Sequence, residues 1–373
     1  MKKFSLFMAI FACVLSVTLL VGCAKKTEAP KKQAELAVVT DVGQLNDGGF
    51  NQGTYEGAKA FAEANNITYK YYQPANGSDA TDNDRIAAMR QAIENGAKII
   101  VTPGFLQATA ITTVATESPD VKFVFIDGWN LGLNNVTAVS YKEEESGFFA
   151  GYAAVMDGYT KLGGTFGGGG SNAACNRFAY GYVQGIEAAA ALKDVAATVK
   201  ISFQYGSSFS ASPELQTQVS GWYKNGTQIV FSCGGSMLQS VKSAAAEYKA
   251  AGAKIIGVDV DQAKESDQIL TSAVKGLSAS VQKVLGEWKD GKWDEILADK
   301  LSNLGAADDA TGLPTADASW RFATFTKAEY NVLFEQVKNK TITVRNDTEA
   351  NMNSQLVWTQ ISLLLPHTTI EFE

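Results

Sequence analysis

The sequence predicts an α/β protein with two lobes, each built on a parallel β-sheet that helices cover on both faces. Short, continuously apolar runs such as 99–102 and 123–126 are typical of strands that are buried on both sides. Amphipathic segments with helical spacing separate these runs, and this alternation predicts a parallel sheet. The alternation starts again near residue 158, and the chain is long enough for two domains.

The first lobe is predicted to span residues 35–157. Its first strand leads into a helix in which Tyr55, Ala58 and Phe61 recur at helical spacing. Thr81 with Asp84 approximates a capping box at the start of the second helix, with Asp in place of the usual Glu. The predicted strands lie at 36–40, 68–73, 99–102 and 123–126, and the predicted helices at 51–64, 81–95 and 107–116.

The second lobe is predicted to span residues 158–275, and a glycine cluster, 167–170, follows its first strand. Because this cluster lacks the pattern Gly-x-Gly-x-x-Gly, it predicts a close-packed turn rather than a dinucleotide site. Parts of 276–320 and of 321–373 are expected to complete the first and the second lobe. The predicted strands lie at 162–166, 199–204, 228–231 and 254–258, and the predicted helices at 176–192, 213–223, 237–251, 277–288 and 327–338.

Residues 1–22 have the pattern of an export signal, with Lys2 and Lys3 ahead of an apolar stretch that ends in small residues. Cys23 follows directly, as in the lipobox of a bacterial lipoprotein, where this thiol is acylated and the leader removed. A one-pass membrane anchor and an ordinary signal peptide are the alternatives. The apolar run is at the lower length limit for a membrane span, which favours a lipid anchor on Cys23 and a flexible linker up to residue 34.

Composition excludes several functional classes. Removing the leader takes away two lysines and no acidic residue, so the formal net charge changes from −7 to −9. An acidic chain is a poor candidate for binding nucleic acid, which requires basic side chains. The one histidine, His367, is too few for a histidine zinc site or most hydrolase triads. Cys175 and Cys233 are interpreted as buried free thiols, with pairing as the alternative, and neither a metal nor a cofactor is predicted.

Four predicted strands deliver a polar or glycine residue to their carboxyl ends, which is where α/β folds place their ligand sites. These residues are Asp41, Asp127, Gly234 in the run 232–235, and Asp259. Taken alone, each aspartate is better explained as a helix cap. Four such strand ends in two similar lobes nevertheless indicate a ligand cleft between the lobes.

Two runs of the sequence carry a specific signature: 39–52, Val-Thr-Asp-Val-Gly-Gln-Leu-Asn-Asp-Gly-Gly-Phe-Asn-Gln, and 257–262, Gly-Val-Asp-Val-Asp-Gln. They resemble motifs of the basic membrane protein family, lipoprotein nucleoside receptors that include the PnrA-type purine nucleoside receptors. The runs 125–128, 144–152 and 270–275 match this family in the same order.

The resemblance implies a type I periplasmic-binding fold, with two Rossmann-like lobes joined by a hinge. It also implies a lipid-anchored monomeric receptor on the extracytoplasmic face of the cell membrane, which passes a nucleoside to the permease and ATPase subunits of an ABC importer. Matching positions assign Phe50 and Phe231 to the two faces of the base, with Phe203 or Phe209 as alternatives to Phe231. The other implied ligand contacts are Asp41, Asn51, Asp127, Gly234, Asp259 and Lys275.

The chemistry of these side chains fits a nucleoside independently of the resemblance. Aromatic rings stack on any base with about 1–3 kcal/mol per base, and carboxylates accept charge-assisted hydrogen bonds from ribose hydroxyls. Nucleotides fit less well, because their phosphates would meet three carboxylates and one lysine. Purely structural roles stay open for Phe50, as a core aromatic, and for Lys275, as a surface lysine. The alternative functions are a same-fold receptor for a sugar or signalling molecule and an exported enzyme acting on nucleosides.

Overall fold

The computed structural model describes residues 34–42, 44–193 and 199–373. The predicted leader, the predicted acylation site Cys23 and the linker up to residue 33 lie outside this part of the chain. Within it, no helix is both long enough and apolar enough to cross a membrane. The described chain forms two lobes, each with its own sheet.

The strands alternate with helices along most of the chain. In chain order the strands are β1 (Leu36–Val39), β2 (Tyr69–Tyr72), β3 (Ile99–Pro103), β4 (Lys122–Ile126), β5 (Val136–Tyr141), β6 (Lys161–Phe166), β7 (Val199–Tyr205), β8 (Ile229–Cys233), β9 (Lys254–Asp259), β10 (Ile269–Lys275), β11 (Lys300–Leu304), β12 (Thr311–Gly312) and β13 (Thr368–Phe372). The α-helices are α1 (Phe50–Ala64), α2 (Asp82–Glu94), α3 (Ala108–Glu117), α4 (Glu143–Met156), α5 (Ala173–Lys193), α6 (Pro213–Lys224), α7 (Met237–Glu247), α8 (Leu277–Lys289), α9 (Lys327–Lys338) and α10 (Gln355–Ser362).

The two sheets have similar designs. The first contains six parallel strands in the order β11-β5-β4-β3-β1-β2. The second contains seven strands in the order β12-β10-β9-β8-β6-β7-β13, and its short edge strand β12 runs antiparallel to β10. Connections between parallel strands require crossovers, and helices supply most of them, whereas loops without a helix join β4 to β5 and β9 to β10.

Both faces of the first sheet are covered by apolar side chains. In β1, Leu36 and Val38 pack into one cluster, whereas Ala37 and Val39 pack into another on the opposite face. The second sheet likewise lies between two apolar clusters. Continuous apolar strands are therefore explained by burial on both faces, and the predicted α/β class with parallel sheets is confirmed.

Two helices begin with reciprocal caps, and the sequence analysis predicts the first of them. The Thr81 hydroxyl accepts from the backbone N–H of Asp84, whose carboxylate accepts from the backbone N–H of Thr81. Thr326 and Glu329 form the same reciprocal pair at the start of α9. These bonds satisfy backbone donors that a helix start would otherwise leave without partners.

The chain passes from the first lobe to the second between β5 and α4, ahead of the predicted boundary at residue 157. Helix α4 packs so closely along α5 that a Cβ at Gly147 would lie 2.3 Å from the Phe178 carbonyl oxygen. A Cβ at Gly181 would lie 2.0 Å from the Glu144 carbonyl oxygen. Only glycine allows backbones to approach so closely, so α4 and α5 form one unit in the core of the second lobe.

The last hundred residues divide between the lobes. Helix α8 packs against α1, and β11 extends the first sheet. Strands β12 and β13 pair with β10 and β7 at the two edges of the second sheet. The sequence analysis assigned no element to β5, α4, β11, β12, α10 or β13. It left the pairing of Cys175 and Cys233 open, and the structure has both as free, buried thiols.

Candidate ligand-binding cleft

Strand ends from both sheets meet between the lobes. In the first sheet β4, β3 and β1 are neighbours, and in the second β10, β9 and β8 are neighbours. The carboxyl ends of neighbouring parallel strands lie side by side at one edge of a sheet. The residues at these ends or within two positions after them are Asp41, Gly104 and Asp127 in the first lobe and Gly234, Asp259 and Lys275 in the second.

Lys275 lies at the centre of these strand ends, and three carboxylates surround it. Its Nζ is 2.7 Å from Asp127 Oδ2, 3.3 Å from Asp259 Oδ1 and 3.5 Å from Glu143 Oε1. The Lys275 side chain is only 2% exposed, so its interpretation as a surface lysine is wrong. We call Lys275, Asp127, Asp259 and Glu143 the charged cluster. Because Asp127 belongs to the first lobe and Lys275 to the second, the cluster joins the two lobes.

Burial and neighbouring charges shift the proton affinities in the charged cluster. Burial lowers the pKa of Lys275, but the three carboxylates outweigh it and hold this pKa well above its usual range. Burial raises the pKa of Asp127 to about 6, although Lys275 opposes the shift. Burial also raises the pKa of Asp259. Lys275 therefore stays charged, and three carboxylates share one ammonium group.

The start of α1 brings Phe50 and Asn51 into the same cleft. The ring centroid of Phe50 is 4.8 Å from Lys275 Nζ, which places the cation against its aromatic face. The carboxylate of Asp47 accepts from the backbone N–H groups of Gly49, Asn51 and Gln52 and so fixes this turn. The Oδ1 atom of the buried Asn51 side chain has no hydrogen-bond partner within the described residues. Phe50 thus contacts the charged cluster, as the buried core rings of Tyr141 and Phe178 also do.

The two specific sequence runs contact each other across the lobes. Gln262 Nε2 donates to the Gly48 carbonyl oxygen over 2.9 Å. Its Oε1 accepts from the backbone N–H of Val258 and so stays fixed beside the end of β9. The run 257–262 therefore both supplies Asp259 and holds the opening run 39–52 in place.

Phe231 does not reach the cleft, so its assignment to the second face of the base is wrong. It lies within β8, is 0% exposed, and its ring packs edge-on against Phe166, Phe178 and Tyr182 in the core. The side chain points to a sheet face, whereas ligand contacts come from the strand end. Phe203 is fully buried in the same core. The remaining alternative, Phe209, lies in the loop after β7.

Phe209 faces an aromatic ring of the other lobe. Its ring centroid is 6.3 Å from that of Phe105, which follows β3 in the first lobe, and the two planes are inclined by 63°. Both side chains are only partly buried. We call Phe105 and Phe209 the aromatic pair. It provides two rings, one from each lobe, of the kind needed to hold a flat ligand.

Glycines make room for the ring of Phe209. A Cβ at Gly167 would lie 2.6 Å from this ring, one at Gly168 2.9 Å and one at Gly234 3.1 Å. The glycine cluster is therefore a close-packed turn that seats an aromatic ring. Gly104, which directly precedes Phe105, makes room for Asp41 instead, since a Cβ there would lie 2.0 Å from Asp41 Oδ2. Asp41 and Gly234 thus lie next to the aromatic pair.

Arg177 and Glu144 extend the charged cluster into the second lobe. The Arg177 Nε donates to Glu143 Oε2 over 2.6 Å, so Glu143 lies between two cations. The pKa of the Arg177 guanidinium is raised because Glu143 outweighs the opposing effect of burial. Burial raises the pKa of Glu144 to about 7, and Arg177 only partly offsets this. The close packing of α4 on α5 is what places these groups together.

The sequence analysis missed Phe105, Glu143 and Arg177. The strand-end argument, applied to β3, would have selected the turn that carries Phe105. Glu143 directly precedes the matched run 144–152 and starts α4. Arg177 lies inside a helix with no pattern around it, so only the packing of α5 identifies it.

The family model of PnrA-like ABC transporter substrate-binding proteins matches residues 34–349. The chain belongs to this family. It is therefore the substrate-binding component of an ABC transporter. The match includes the charged cluster and the aromatic pair and ends ahead of α10 and β13, and it confirms the resemblance seen in the runs 39–52 and 257–262.

Other PnrA-like proteins are similar along most of their length. The chain is 31% identical to the ABC transporter nucleoside-binding protein BmpA of Lactococcus lactis subsp. cremoris, over 82% of this chain and 91% of that protein. It is 28% identical to basic membrane protein B of Borreliella burgdorferi, over 87% of this chain and 92% of that protein.

A solved structure shows the same fold. A solute-binding protein of an ABC transporter system from Aeropyrum pernix matches with a TM-score of 0.66 and 20% identity, over 89% of this chain and 90% of that one. The predicted periplasmic-binding fold is thereby confirmed.

Proposed function

We propose that this protein is a lipid-anchored extracytoplasmic receptor for nucleosides, with purine nucleosides preferred, that delivers its ligand to an ABC importer. The lipid anchor is Cys23, as the sequence predicts. The name of the similar Lactococcus lactis protein supports a nucleoside ligand. The protein acts by binding alone and transfers its ligand unchanged to the permease.

The charged cluster carries this proposal. A nucleoside has two vicinal hydroxyl donors, and Asp127 and Asp259 place two carboxylates on either side of one ammonium group. The Oδ1 atoms of Asp127 and Asn51 are buried acceptors without partners in the described residues, and hydroxyl or amino donors of a ligand would satisfy them. Charge-assisted hydrogen bonds of this kind are stronger than neutral ones.

The aromatic pair supports a flat base as the other half of the ligand. Phe105 and Phe209 come from different lobes, so stacking on both would hold the lobes together. A purine has a larger face than a pyrimidine and would gain more from such stacking. The charged cluster has three carboxylates and one ammonium group, which disfavours a phosphate, so nucleotides should bind less well than nucleosides.

Closure of the lobes is the proposed mechanism. Lys275 is 2% exposed, so a ligand reaches it only when the lobes separate. A bound nucleoside contacts groups of both lobes only after they close again, and binding therefore shifts the population toward the closed state.

The test is isothermal titration of protein starting at Ala24, after unfolding and refolding to remove carried-over ligand. Micromolar or tighter binding, worth roughly 8 kcal/mol or more, is expected for inosine, adenosine and guanosine, with weaker binding of uridine and cytidine. AMP and ribose serve as controls and should not bind comparably. Equal or tighter binding of ribose would favour a sugar receptor, and no heat with any nucleoside would overturn the proposal.

The anchor is tested by the mass of the full-length protein extracted from membranes, which should lack residues 1–22 and carry acyl groups on Cys23.

A further inference from the structure

The segment 350–373 lies outside the residues that the family model matches, yet it is built into the second lobe. Met352 and Trp358 are each 1% exposed, and β13 extends the second sheet beside β7. The Trp358 Nε1 donates to the Met352 carbonyl oxygen over 2.8 Å, which ties the start of the segment to α10. We call residues 350–373 the C-terminal segment. Its burial shows that it packs as part of the lobe.

One contact of the C-terminal segment reaches the glycine cluster that seats Phe209. The backbone N–H of Met352 donates to the Gly170 carbonyl oxygen over 2.8 Å. Gly170 has a φ of +77°, and a Cβ there would lie 2.4 Å from the backbone nitrogen of Asn353. The glycine cluster therefore lies between two partners, with the ring of Phe209 on one side and the backbone of Asn353 on the other.

A second contact reaches the strand that leads to Phe209. The ring centroid of Trp358 lies 4.1 Å from that of Phe203 in β7, and β13 pairs with β7 up to Phe203. The loop from 206 to 209 follows β7 directly, and the Gly206 carbonyl oxygen accepts from the backbone N–H of Gly169. The start of the loop that carries Phe209 is thus held by elements on which the C-terminal segment packs.

We infer that the C-terminal segment is a positioning element for ligand binding, which holds the ring of Phe209 toward Phe105 through Gly170 and β7. The aromatic pair contacts the ligand under the proposed function, and this inference rests on that function. The segment acts through the glycine cluster and β7, and Met352, Asn353 and Trp358 are the residues that transmit its effect. Its loss should weaken stacking while leaving the charged cluster as it is.

Gly170→Ala and Gly169→Ala form a matched pair of variants. Both glycines have positive φ, +77° and +59°, so an alanine strains the backbone at either position. The added Cβ at Gly170 collides with Asn353, whereas the closest atom to a Cβ at Gly169 is the Ser207 Cα at 4.0 Å. The difference between the variants therefore reports the contact with the C-terminal segment.

Nucleoside affinity is the first measurement. Gly170→Ala should weaken inosine binding by about tenfold relative to Gly169→Ala, since the effect is limited by what one stacked ring contributes. In a Phe209→Ala background this difference should disappear, because the ring through which the segment acts is absent. A difference that persists in that background, or equal affinities of the two glycine variants, would overturn the inference.

A measurement without ligand separates failure of this inference from failure of the proposed function. Hydrogen–deuterium exchange of residues 203–210 should be faster in Gly170→Ala than in Gly169→Ala, whatever the ligand is. If Gly170→Ala does not fold, Trp358→Phe replaces it, since it removes the bond to Met352 and retains an aromatic ring. Unchanged exchange in that variant would contradict the positioning role even if nucleosides bind, and faster exchange would support it even if they do not.

Discussion

The charged cluster and the aromatic pair lie in one cleft but depend on the fold in different ways. Lys275 and Asp259 are strand residues, Asp127 follows a strand directly, and Glu143 starts a helix. Phe105 and Phe209 lie beyond the ends of strands, are partly buried, and have glycines around them. A change in the charged cluster should therefore affect stability and binding together, whereas a change in the aromatic pair should affect binding alone.

Lys275→Met should cause the largest effect and break the charged cluster. It leaves three buried carboxylates without their shared cation, and removal of one partner from a buried ion pair typically costs about 3–5 kcal/mol of unfolding free energy. Denaturant unfolding at neutral pH measures this loss, and nucleoside binding should be abolished. The double variant Lys275→Met with Asp127→Asn has one carboxylate fewer and should recover part of the stability. Equal stabilities of the single and double variants would show that Asp127 does not depend on Lys275.

Glu144→Gln should stabilise the protein at high pH, because the Glu144 carboxyl group is buried at the edge of the charged cluster. Burial raises the pKa of Glu144 from its usual 4.5 to about 7, so the folded state binds this proton more tightly than the unfolded state. Stability is therefore lost as pH rises from 4.5 to about 7. Gln is neutral and keeps the acceptor for Asn346 Nδ2.

The expected gain for Glu144→Gln is about 2–3 kcal/mol at pH 8 and none at pH 4.5 or below. Unfolding curves across this pH range measure it. Glu214→Gln, at an exposed position of α6, is the control and should change stability by less than about 0.5 kcal/mol at each pH. A constant difference between Glu144→Gln and the parent protein at all pH values would show that burial of the charge is not its cause.

Phe209→Ala should reduce affinity with little loss of stability, in contrast to Lys275→Met. The ring is partly buried in a loop, and loss of one stacked base is worth about 1–3 kcal/mol, or roughly 10- to 100-fold in Kd. Titration with inosine measures the affinity. The matched control is Phe231→Ala, which removes a fully buried ring and should cost about 3–5 kcal/mol of stability. The sequence-based assignment of Phe231 to the ligand would be restored if its variant lost affinity and Phe209→Ala did not.

The sequence predicted the regular part of the molecule better than the loops that meet in the cleft. Apolar runs and strand-end aspartates are local signals, and they located Asp127 and Asp259 correctly at strand ends. The place of Lys275 at the end of β10 came from the family resemblance instead. The second aromatic ring could not be located in this way, because Phe203, Phe209 and Phe231 are chemically alike. What distinguishes them is which side of a sheet or loop each ring occupies, and that depends on packing.

Contacts between distant segments explain the other differences. The boundary between lobes was placed too late because the apolar composition of α4 does not reveal that α5 is its partner. Arg177 meets Glu143 only because glycines in both helices allow close approach. The edge strand β13 is half exposed and short, so its period is weak, and its place beside β7 follows from long-range pairing.

Thr81→Ala should give the smallest effect and sharpens the contrast between stability and binding. It removes the hydroxyl that caps α2, a helix that contributes no residue to the charged cluster or to the aromatic pair. Loss of such a cap costs about 1 kcal/mol, and thermal denaturation measures it. Nucleoside affinity should be unchanged, since the strand ends of the first sheet do not depend on this cap. If Thr81→Ala also weakened nucleoside binding, then the weaker binding of Phe209 variants could no longer be attributed to stacking alone.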